Sequence, residues 1–363
     1  MDKGKLEELL AGMVRSGATA LHLLPGHKPC MRLQGSLVVA GESMVSAEQI
    51  HDLTKDFLFQ DLRARIAAGQ EVDLLFTARS GERFRTRVGR TEAGFFLHFR
   101  RVPREIPTFA DLGVPEILAT FVNGRAGLVL LTGFLGSGRS TTLAAMVDRL
   151  SADRAAHVVS LEQPLEFVFQ HRAAIVHQRE VGLHVPDFAT GVREAMQQSA
   201  DVVVVADVAD AATFDAMLDA AESGLLVLGT LHASSVVAAL RRLDAAQPAA
   251  RRESFRQRLA ASLRALLSQT LLPRSHGAGR VPLLEILLQT HSVAETLRAG
   301  EYDALPAIMA KGRGLGMQTT DIALRNLLNK NLISMGEALY HASDRESLTA
   351  RPRVGPGSVL NGR

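Results

Sequence analysis

A glycine-rich segment at residues 132–146 constrains the fold of this chain more than any other feature. It reads TGFLGSGRSTTLAAM and follows the spacing G-x-x-x-x-G-K-[ST], with Arg139 at the lysine position. An apolar run at 127–131 precedes it, and a run rich in alanine follows it. This order predicts a buried strand, a phosphate-binding loop and a helix, so that backbone N–H groups surround a phosphate. The alternative is a glycine-rich turn that opens an ordinary helix.

The loop residues have predicted roles in holding ATP–Mg²⁺. The glycines let the backbone turn inward around a β-phosphate, and the Ser140 hydroxyl is expected to ligate Mg²⁺. Arg139 keeps a positive charge, but its planar fork needs more room than a compact ammonium. The predicted nucleotide-binding residues are Gly133, Gly136, Ser137, Gly138, Arg139, Ser140 and Thr141.

Composition places the chain among globular proteins. Its 363 residues are 47% apolar, which favours two or three domains with buried cores. The net charge of +3 is too balanced to indicate a nucleic-acid partner, and none is expected. The single cysteine, Cys30, excludes an internal disulfide framework and a multi-cysteine zinc site. The charged first residues lack a signal-peptide core and no run of 18 apolar residues occurs, so a cytoplasmic location is expected.

Periodicity predicts a small α+β domain over residues 1–105. Helical spacing occurs at 4–16 and 47–68, and alternating runs indicate strands between and after these helices. The predicted strands lie at 20–24, 30–33, 37–39, 71–77, 83–88 and 94–101. A stiff proline-containing link at 102–107 leads to the next domain.

Residues 106–280 are predicted to form the α/β domain that contains the phosphate-binding loop. Helical stretches alternate there with apolar runs, which favours a largely parallel sheet with crossover helices. The predicted strands are 127–131, 157–161, 202–206 and 225–231. Residues 281–348 are predicted to be mostly helical, and 349–363, rich in Gly, Pro and Arg, to be a disordered tail.

Three polar residues after predicted strands are candidates for chemistry. Glu162 follows the second strand and is the candidate general base. Asp207 follows the valine-rich strand and is the candidate for holding Mg²⁺ through water. His232 follows the fourth strand, where a γ-phosphate sensor is expected. A single strand-end acid is commonly a helix cap, and a single histidine an ordinary loop residue, but their order after the loop favours the catalytic interpretation.

Several segments together resemble the type IV pilus retraction ATPases, a branch of the secretion-system motor ATPases. The matching segments are 18–23, 83–85, 99–103, 136–146, 178–182, 229–232 and 315–319. The resemblance implies a PAS-like N-terminal domain, a RecA-like P-loop NTPase domain and C-terminal helices. It also implies a hexameric ring in which nucleotide binds between one subunit's RecA-like domain and a neighbour's N-terminal domain.

The resemblance further implies site residues and partners. Arg100, together with Arg83 or Arg85, would reach phosphate from the N-terminal side; the alternative is that they are solvated strand arginines. The ring would be a homo-hexamer or a mixed ring with a paralogous ATPase. It would act peripherally at the inner face of the inner membrane, on a pilus platform protein.

The departures from the family pattern cluster around the nucleotide site. Arg139 replaces the loop lysine, and Gln163 replaces an aspartate. Residues 206–210 replace a Gly-Glu-Met-Arg-Asp run, with Asp207 in place of the glutamate and Ala209 in place of the arginine. Other departures are Ala93, Gln197 and the segment 293–298. The family's Glu162, Glu166, Ser140 and His232 remain.

The resemblance implies an ATPase that converts ATP and water to ADP and phosphate, and these departures predict that its hydrolysis is weakened. One alternative is a non-catalytic ring subunit that acts with an active paralogue. Another is a type II secretion or pilus-assembly ATPase. That alternative is disfavoured because a resemblance to those relatives would imply a longer chain with an added N-terminal domain and often a four-cysteine zinc site.

Overall fold

A computed structural model describes residues 3–33, 36–55, 58, 60–102, 105–208, 210–277 and 279–349. The described chain forms two sheets, an N-terminal one of six strands and a second one of seven. The predicted tail lies outside the described residues from position 350 onward, as does Ala209. Among the helices that the structure describes, none has the length and apolar character needed to span a bilayer.

The N-terminal sheet is antiparallel throughout and has the strand order β3-β2-β1-β6-β5-β4. Its strands are β1 (Ala20–Leu23), β2 (Cys30–Leu33), β3 (Ser36–Val39), β4 (Val72–Thr77), β5 (Arg83–Thr91) and β6 (Gly94–Val102). Its helices are α1 (Lys3–Ser16), α2 (Ala47–Lys55) and α3 (Gln60–Ala67). Leu10, Phe84 and Phe99 are among the fully buried side chains of its core. The single helix predicted at 47–68 is therefore wrong, because two shorter helices occupy that range.

The second sheet contains the phosphate-binding loop and has the order β13-β12-β7-β11-β10-β8-β9. Its strands are β7 (Gly127–Thr132), β8 (His157–Glu162), β9 (Ile175–Glu180), β10 (Val202–Val205), β11 (Leu226–Leu231), β12 (Leu263–Pro273) and β13 (Arg280–Leu288). All neighbours pair in parallel except β13, which runs antiparallel to β12. The carboxyl ends of β7, β8, β10 and β11 therefore meet at one edge, where ligands of α/β folds bind.

Helices cover both faces of this sheet. Leu128 and Leu130 of β7 belong to one buried cluster, whereas Val129 and Leu131 belong to another on the opposite face. This two-sided burial explains why the parallel strands are continuous apolar runs. The helices are α4 (Phe109–Leu112), α5 (Ile117–Val122), α6 (Arg139–Asp153), α7 (Phe188–Gln197), α8 (Ala211–Glu222), α9 (Val236–Ala245) and α10 (Arg252–Ser262).

The strand β13 corrects the predicted start of the helical region at 281. It lies in the second sheet, so this sheet continues eight residues past the predicted limit at 280. Its residues are almost all buried and apolar, and such a run does not distinguish a strand from a buried helix. The same ambiguity hid β12, and β9 was missed because its alternating, half-exposed residues lie at the sheet edge.

After β13 the described chain is helical with short turns. Gln318 joins these helices to the sheet, because its backbone pairs with Ile286 and its amide donates to the Leu284 carbonyl. The α-helices are α11 (His291–Ala299), α12 (Leu305–Lys311), α13 (Thr320–Asn329), α14 (Met335–His341) and α15 (Arg345–Thr349). Short 3₁₀ helices lie at Ala249–Arg251, Tyr302–Ala304 and Gly312–Leu315.

Candidate nucleotide-binding site

The loop between β7 and α6 has the geometry that its glycines predict. Gly136 and Gly138 have φ angles of 80° and 85°, in the left-handed region where a side chain is strained. At Gly133 a Cβ atom would lie 2.4 Å from both the Gln269 carbonyl oxygen and Ser137 Oγ. Ser137 Oγ is buried and has no hydrogen-bond partner among the described residues. A compact loop with a buried, unpartnered hydroxyl fits a phosphate oxygen as its ligand.

Gln269 on β12 supports this loop, and sequence reasoning missed it. Its Nε2 donates to the Ser137 carbonyl at 2.8 Å, and its Oε1 accepts from Thr142 Oγ1 at 2.9 Å. The side chain is 2% exposed, so both hydrogen bonds are shielded from water. The available signal was the polar pair Ser268 and Gln269 inside an otherwise apolar run.

Arg139 is the first residue of α6, and its guanidinium points to the end of β11. Nη1 donates to the Leu231 carbonyl, and Nη2 lies 2.9 Å from Nδ1 and 3.1 Å from Nε2 of His232. Burial lowers the pKa of Arg139, and Asp207 partly opposes this effect. The Arg139 guanidinium therefore binds the carboxyl end of β11 in its own chain.

His232 lies between this guanidinium and an acid. Its Nε2 lies 3.5 Å from Asp207 Oδ1. Burial lowers the pKa of His232, Arg139 and Arg242 lower it further, and Asp207 opposes them. Because a guanidinium only donates hydrogen bonds, the imidazole ring next to Arg139 acts as the acceptor and is neutral.

Glu162, the last residue of β8, is buried and firmly positioned. Its Oε1 accepts from Ser160 Oγ at 2.8 Å and from Gln178 Nε2 at 2.9 Å. Burial raises the pKa of Glu162, and these two hydrogen bonds oppose the rise. A carboxylate with a raised pKa in a cavity is suited to accept a proton.

Gln178 on β9 is a second supporting residue without a predicted role. The same Nε2 that donates to Glu162 also donates to the Phe167 carbonyl at 2.8 Å. Its Oε1 accepts from the Phe169 amide at 3.1 Å. Gln178 therefore joins the edge strand, the acid and the segment after β8. The resemblance included its segment, 178–182, but gave the side chain no function.

Two adjoining cavities bring most of the predicted site residues together. The first, at the carboxyl edge of the sheet, is lined by Arg139, Glu162, Gln163, Asp207 and His232. The second lies in front of the loop and is lined by Gly136, Ser137, Gly138, Arg139, Ser140 and Thr141. Arg139 and Ser140 line both.

Arginines of the N-terminal domain reach these cavities within the same chain. Arg85 lines both cavities and Arg100 lines the second, whereas Arg83 lines neither. Arg85 Nη1 lies 2.9 Å from Glu166 Oε1, and this ion pair joins the two domains. β5 and β6 of this chain therefore place two of these arginines at the site. That a neighbour's N-terminal domain completes the site stays a prediction. Arg280, the first residue of β13, also lines the second cavity and was not predicted.

The described residues contain no cluster of three or more His, Cys, Asp or Glu side chains arranged to hold a metal ion. Ser140 and Asp207 line the cavities beside the loop and are the two residues assigned to the cation. Such a sparse donor set suits Mg²⁺, which commonly keeps several waters and binds phosphate oxygens beside one or two protein ligands.

Comparison with known proteins identifies the family. The family described as Type II/IV secretion system protein matches residues 109–314. This chain belongs to that family. It is 33% identical to the type IV pilus ATPase PilU of Pseudomonas aeruginosa, over 98% of this chain and 93% of that protein. It is 34% identical to the type IV pilus retraction ATPase PilT of the same organism, over 94% of this chain and 99% of that protein.

A solved structure extends the similarity to three dimensions. The crystal structure of the pilus retraction motor PilT with bound ADP is 30% identical and superposes with a TM-score of 0.85. The match covers 94% of this chain and 98% of that one. The predicted resemblance and the predicted α/β fold class, with an N-terminal domain, a RecA-like P-loop domain and C-terminal helices, are confirmed.

Proposed function

We propose that this chain is the ATP-binding subunit of a pilus-retraction-type motor and that its ATP hydrolysis is slow. The glycine geometry of the loop and the buried Ser137 hydroxyl support phosphate binding. Glu162, Asp207 and His232 line one cavity beside that loop, as a hydrolytic site requires. The related PilT motor has been solved with ADP, which supports an adenine nucleotide as the ligand.

In this proposal each residue has a defined role. Loop amides and Ser137 bind phosphate oxygens, and Arg100 approaches them from the N-terminal domain. Ser140 would ligate Mg²⁺ and Asp207 would hold it through water, and the cation would supply positive charge against the charge that develops on the phosphates. Glu162 accepts a proton from the attacking water.

The single observation that carries slow hydrolysis is the position of the Arg139 guanidinium. Its two terminal nitrogens donate to the Leu231 carbonyl and to His232, so the charge lies at the end of β11. A lysine at this position would bridge the β- and γ-phosphates. Asp207 adds a second defect, because its carboxylate is one methylene shorter than the family's glutamate and catalysis depends steeply on position.

The same observation favours a second function, a ring subunit whose nucleotide sets conformation while an active paralogue hydrolyses ATP. Steady-state ATPase assays on the purified protein, with and without a PilT-type paralogue, separate the two functions. Slow turnover by the protein alone supports the first. If the protein alone shows no turnover and it is incorporated into the paralogue's ring, the second function is supported.

We further propose assembly into a six-membered ring, homomeric or mixed, at the cytoplasmic face of the inner membrane, where it acts on a pilus platform protein. The near-complete coverage of pilus ATPases by this chain supports this assembly. Light scattering at tens of micromolar with an ATP analogue tests it. A species that stays monomeric, also with the paralogue added, would contradict the ring.

A further inference from the structure

Arg139, the cation of the loop, forms its hydrogen bonds with other residues of this chain. Both terminal nitrogens of Arg139 are used by the Leu231 carbonyl and the His232 ring. Burial of the Arg139 side chain lowers its pKa, and the nearby Asp207 carboxylate opposes this effect. A nucleotide's phosphates carry several negative charges, so protein cations that face them strengthen binding beyond what the loop amides and Mg²⁺ supply.

The cavity in front of the loop is lined by four further arginines: Arg85, Arg100, Arg101 and Arg280. Two of them are already neutralised. Arg85 pairs with Glu166 at 2.9 Å and with Asp73 at 3.3 Å, and Arg101 Nε lies 3.1 Å from a carboxylate oxygen of Glu82.

Arg100 and Arg280 differ from these two. Both are exposed, and neither forms an ion pair with any residue that the structure describes. They also come from different elements. Arg100 lies on β6, directly opposite Arg85 of β5, and Arg280 begins β13 next to β12, whose Gln269 holds the loop. The two guanidinium groups therefore approach the loop's cavity from the N-terminal domain and from the edge of the second sheet.

We propose that Arg100 and Arg280 form a phosphate clamp. Their guanidinium groups supply positive charge at the phosphates, which Arg139 does not because its own guanidinium lies at the end of β11. The inference rests on the proposed function, since the phosphates are those of ATP. A guanidinium binds two phosphate oxygens at once through its planar fork. The two arginines of the clamp thus replace one lysine, and Arg280 becomes a determinant of affinity for polyphosphate ligands.

The test measures ATP affinity by displacement of a fluorescent ATP analogue. Arg280→Gln and Arg100→Gln are each expected to weaken ATP binding about ten-fold, the size of one charge-assisted contact. Each should also reduce the dependence of affinity on salt concentration. Arg139→Gln is expected to weaken binding by a smaller factor than either. Arg280→Lys, which keeps the charge, should retain most of the affinity.

Arg274→Gln is the matched control. Arg274 is exposed in the same β12–β13 connection and does not line the cavity, so this variant should bind ATP like the wild type. Thermal unfolding of each variant separates loss of contact from loss of fold. ATP affinity and salt dependence that are unchanged in Arg280→Gln would overturn the clamp, as would an Arg139→Gln effect larger than that of Arg280→Gln.

Inorganic tripolyphosphate, titrated by calorimetry, separates failure of the clamp from failure of the proposed function. Tripolyphosphate binding that Arg280→Gln weakens, with no ATP binding by the wild type, would leave the clamp and overturn the ATP-binding function. If the wild type binds ATP and Arg280→Gln binds it equally well, the clamp is overturned and the ATP-binding function stands. If neither probe binds the wild type, both are overturned.

Discussion

Gln178 and Glu162 lie on neighbouring strands, β9 and β8, and the amide of Gln178 donates to Glu162 Oε1 at 2.9 Å. This hydrogen bond is made to the charged form of the acid and therefore opposes the effect of burial on its pKa. It also fixes the carboxylate beside Ser160 at the cavity. The orientation and the proton affinity of the proposed base thus depend in part on this amide, beside the Ser160 hydroxyl.

Gln178→Leu should impair the proposed base without impairing nucleotide binding. Loss of the hydrogen bond raises the pKa of Glu162 further, and a base acts when deprotonated. The acid limb of the pH–rate profile should therefore move to higher pH, and the maximal rate should fall at least about ten-fold. The profile is measured in an Arg139→Lys, Asp207→Glu background, where turnover is expected to be faster. Gln198→Leu, at an exposed helix end, is the control; a Gln178→Leu profile identical to the control's would contradict this role.

Gly138→Val should abolish nucleotide binding. The φ angle of 85° is unfavourable for valine, and a Cβ atom would lie 2.9 Å from Gln269 Nε2, which supports the loop. Titration with a fluorescent ATP analogue measures the loss. Gly277→Val is the matched control, because its φ angle is 78° and nothing lies within 4 Å of its Cβ position. Equal affinity of the two variants would mean that the loop is structural only.

The stability of the N-terminal domain should fall in mild acid because of His98. The rings of His98 and His22 stack with centroids 4.5 Å apart. Burial lowers the pKa of His98 to about 4, with smaller contributions from His22, Arg87 and Arg100, and Asp73 opposes them. The unfolded chain therefore binds a proton at higher pH than the folded one. Stability is complete above about pH 6.5 and declines as pH falls toward about 4.

This effect is measured as the free energy of unfolding from denaturant titration, with hydrogen exchange of β1 and β6 amides as the local probe. His98 should account for about 1 to 2 kcal/mol between pH 7 and pH 4 after discounting for solvent screening at a half-buried ring. His98→Gln should remove that part of the pH dependence. His291→Gln, at a largely exposed ring, should leave it intact. Equal slopes in the His98 variant and the wild type would contradict the assignment.

Sequence patterns predicted those elements whose buried residues form a recognisable local run. The four central strands β7, β8, β10 and β11 were found because each is an apolar run placed between helical stretches. The strands β12 and β13 were not, since their pairing in the sheet depends on contacts distant in sequence. The same holds for the site. The loop and the strand-end residues Glu162, Asp207 and His232 could be predicted because each is part of, or directly follows, a local sequence pattern.

Residues that act through distant contacts could not be predicted in this way. Gln178 and Gln269 hold Glu162 and the loop from neighbouring strands, and the order of residues around each does not show which group its side chain contacts. Arg280 lines the cavity beside the loop because β13 begins there. The direction of the Arg139 side chain depends on where β11 ends. Its substitution for lysine was visible in the sequence, but its bond to His232 was not.

The central proposal is that Arg139 and Asp207 weaken hydrolysis at a site that still binds ATP. A misplaced cation and a shortened acid each cost about 1.4 to 4 kcal/mol of barrier, or roughly ten- to a thousand-fold in rate. The most direct test is the steady-state ATPase rate of the wild type beside the Arg139→Lys, Asp207→Glu double variant. The double variant should turn over at least about ten-fold faster, and Glu162→Gln in that background should remove the gain. A wild type that already hydrolyses ATP as fast as the double variant would contradict the proposal.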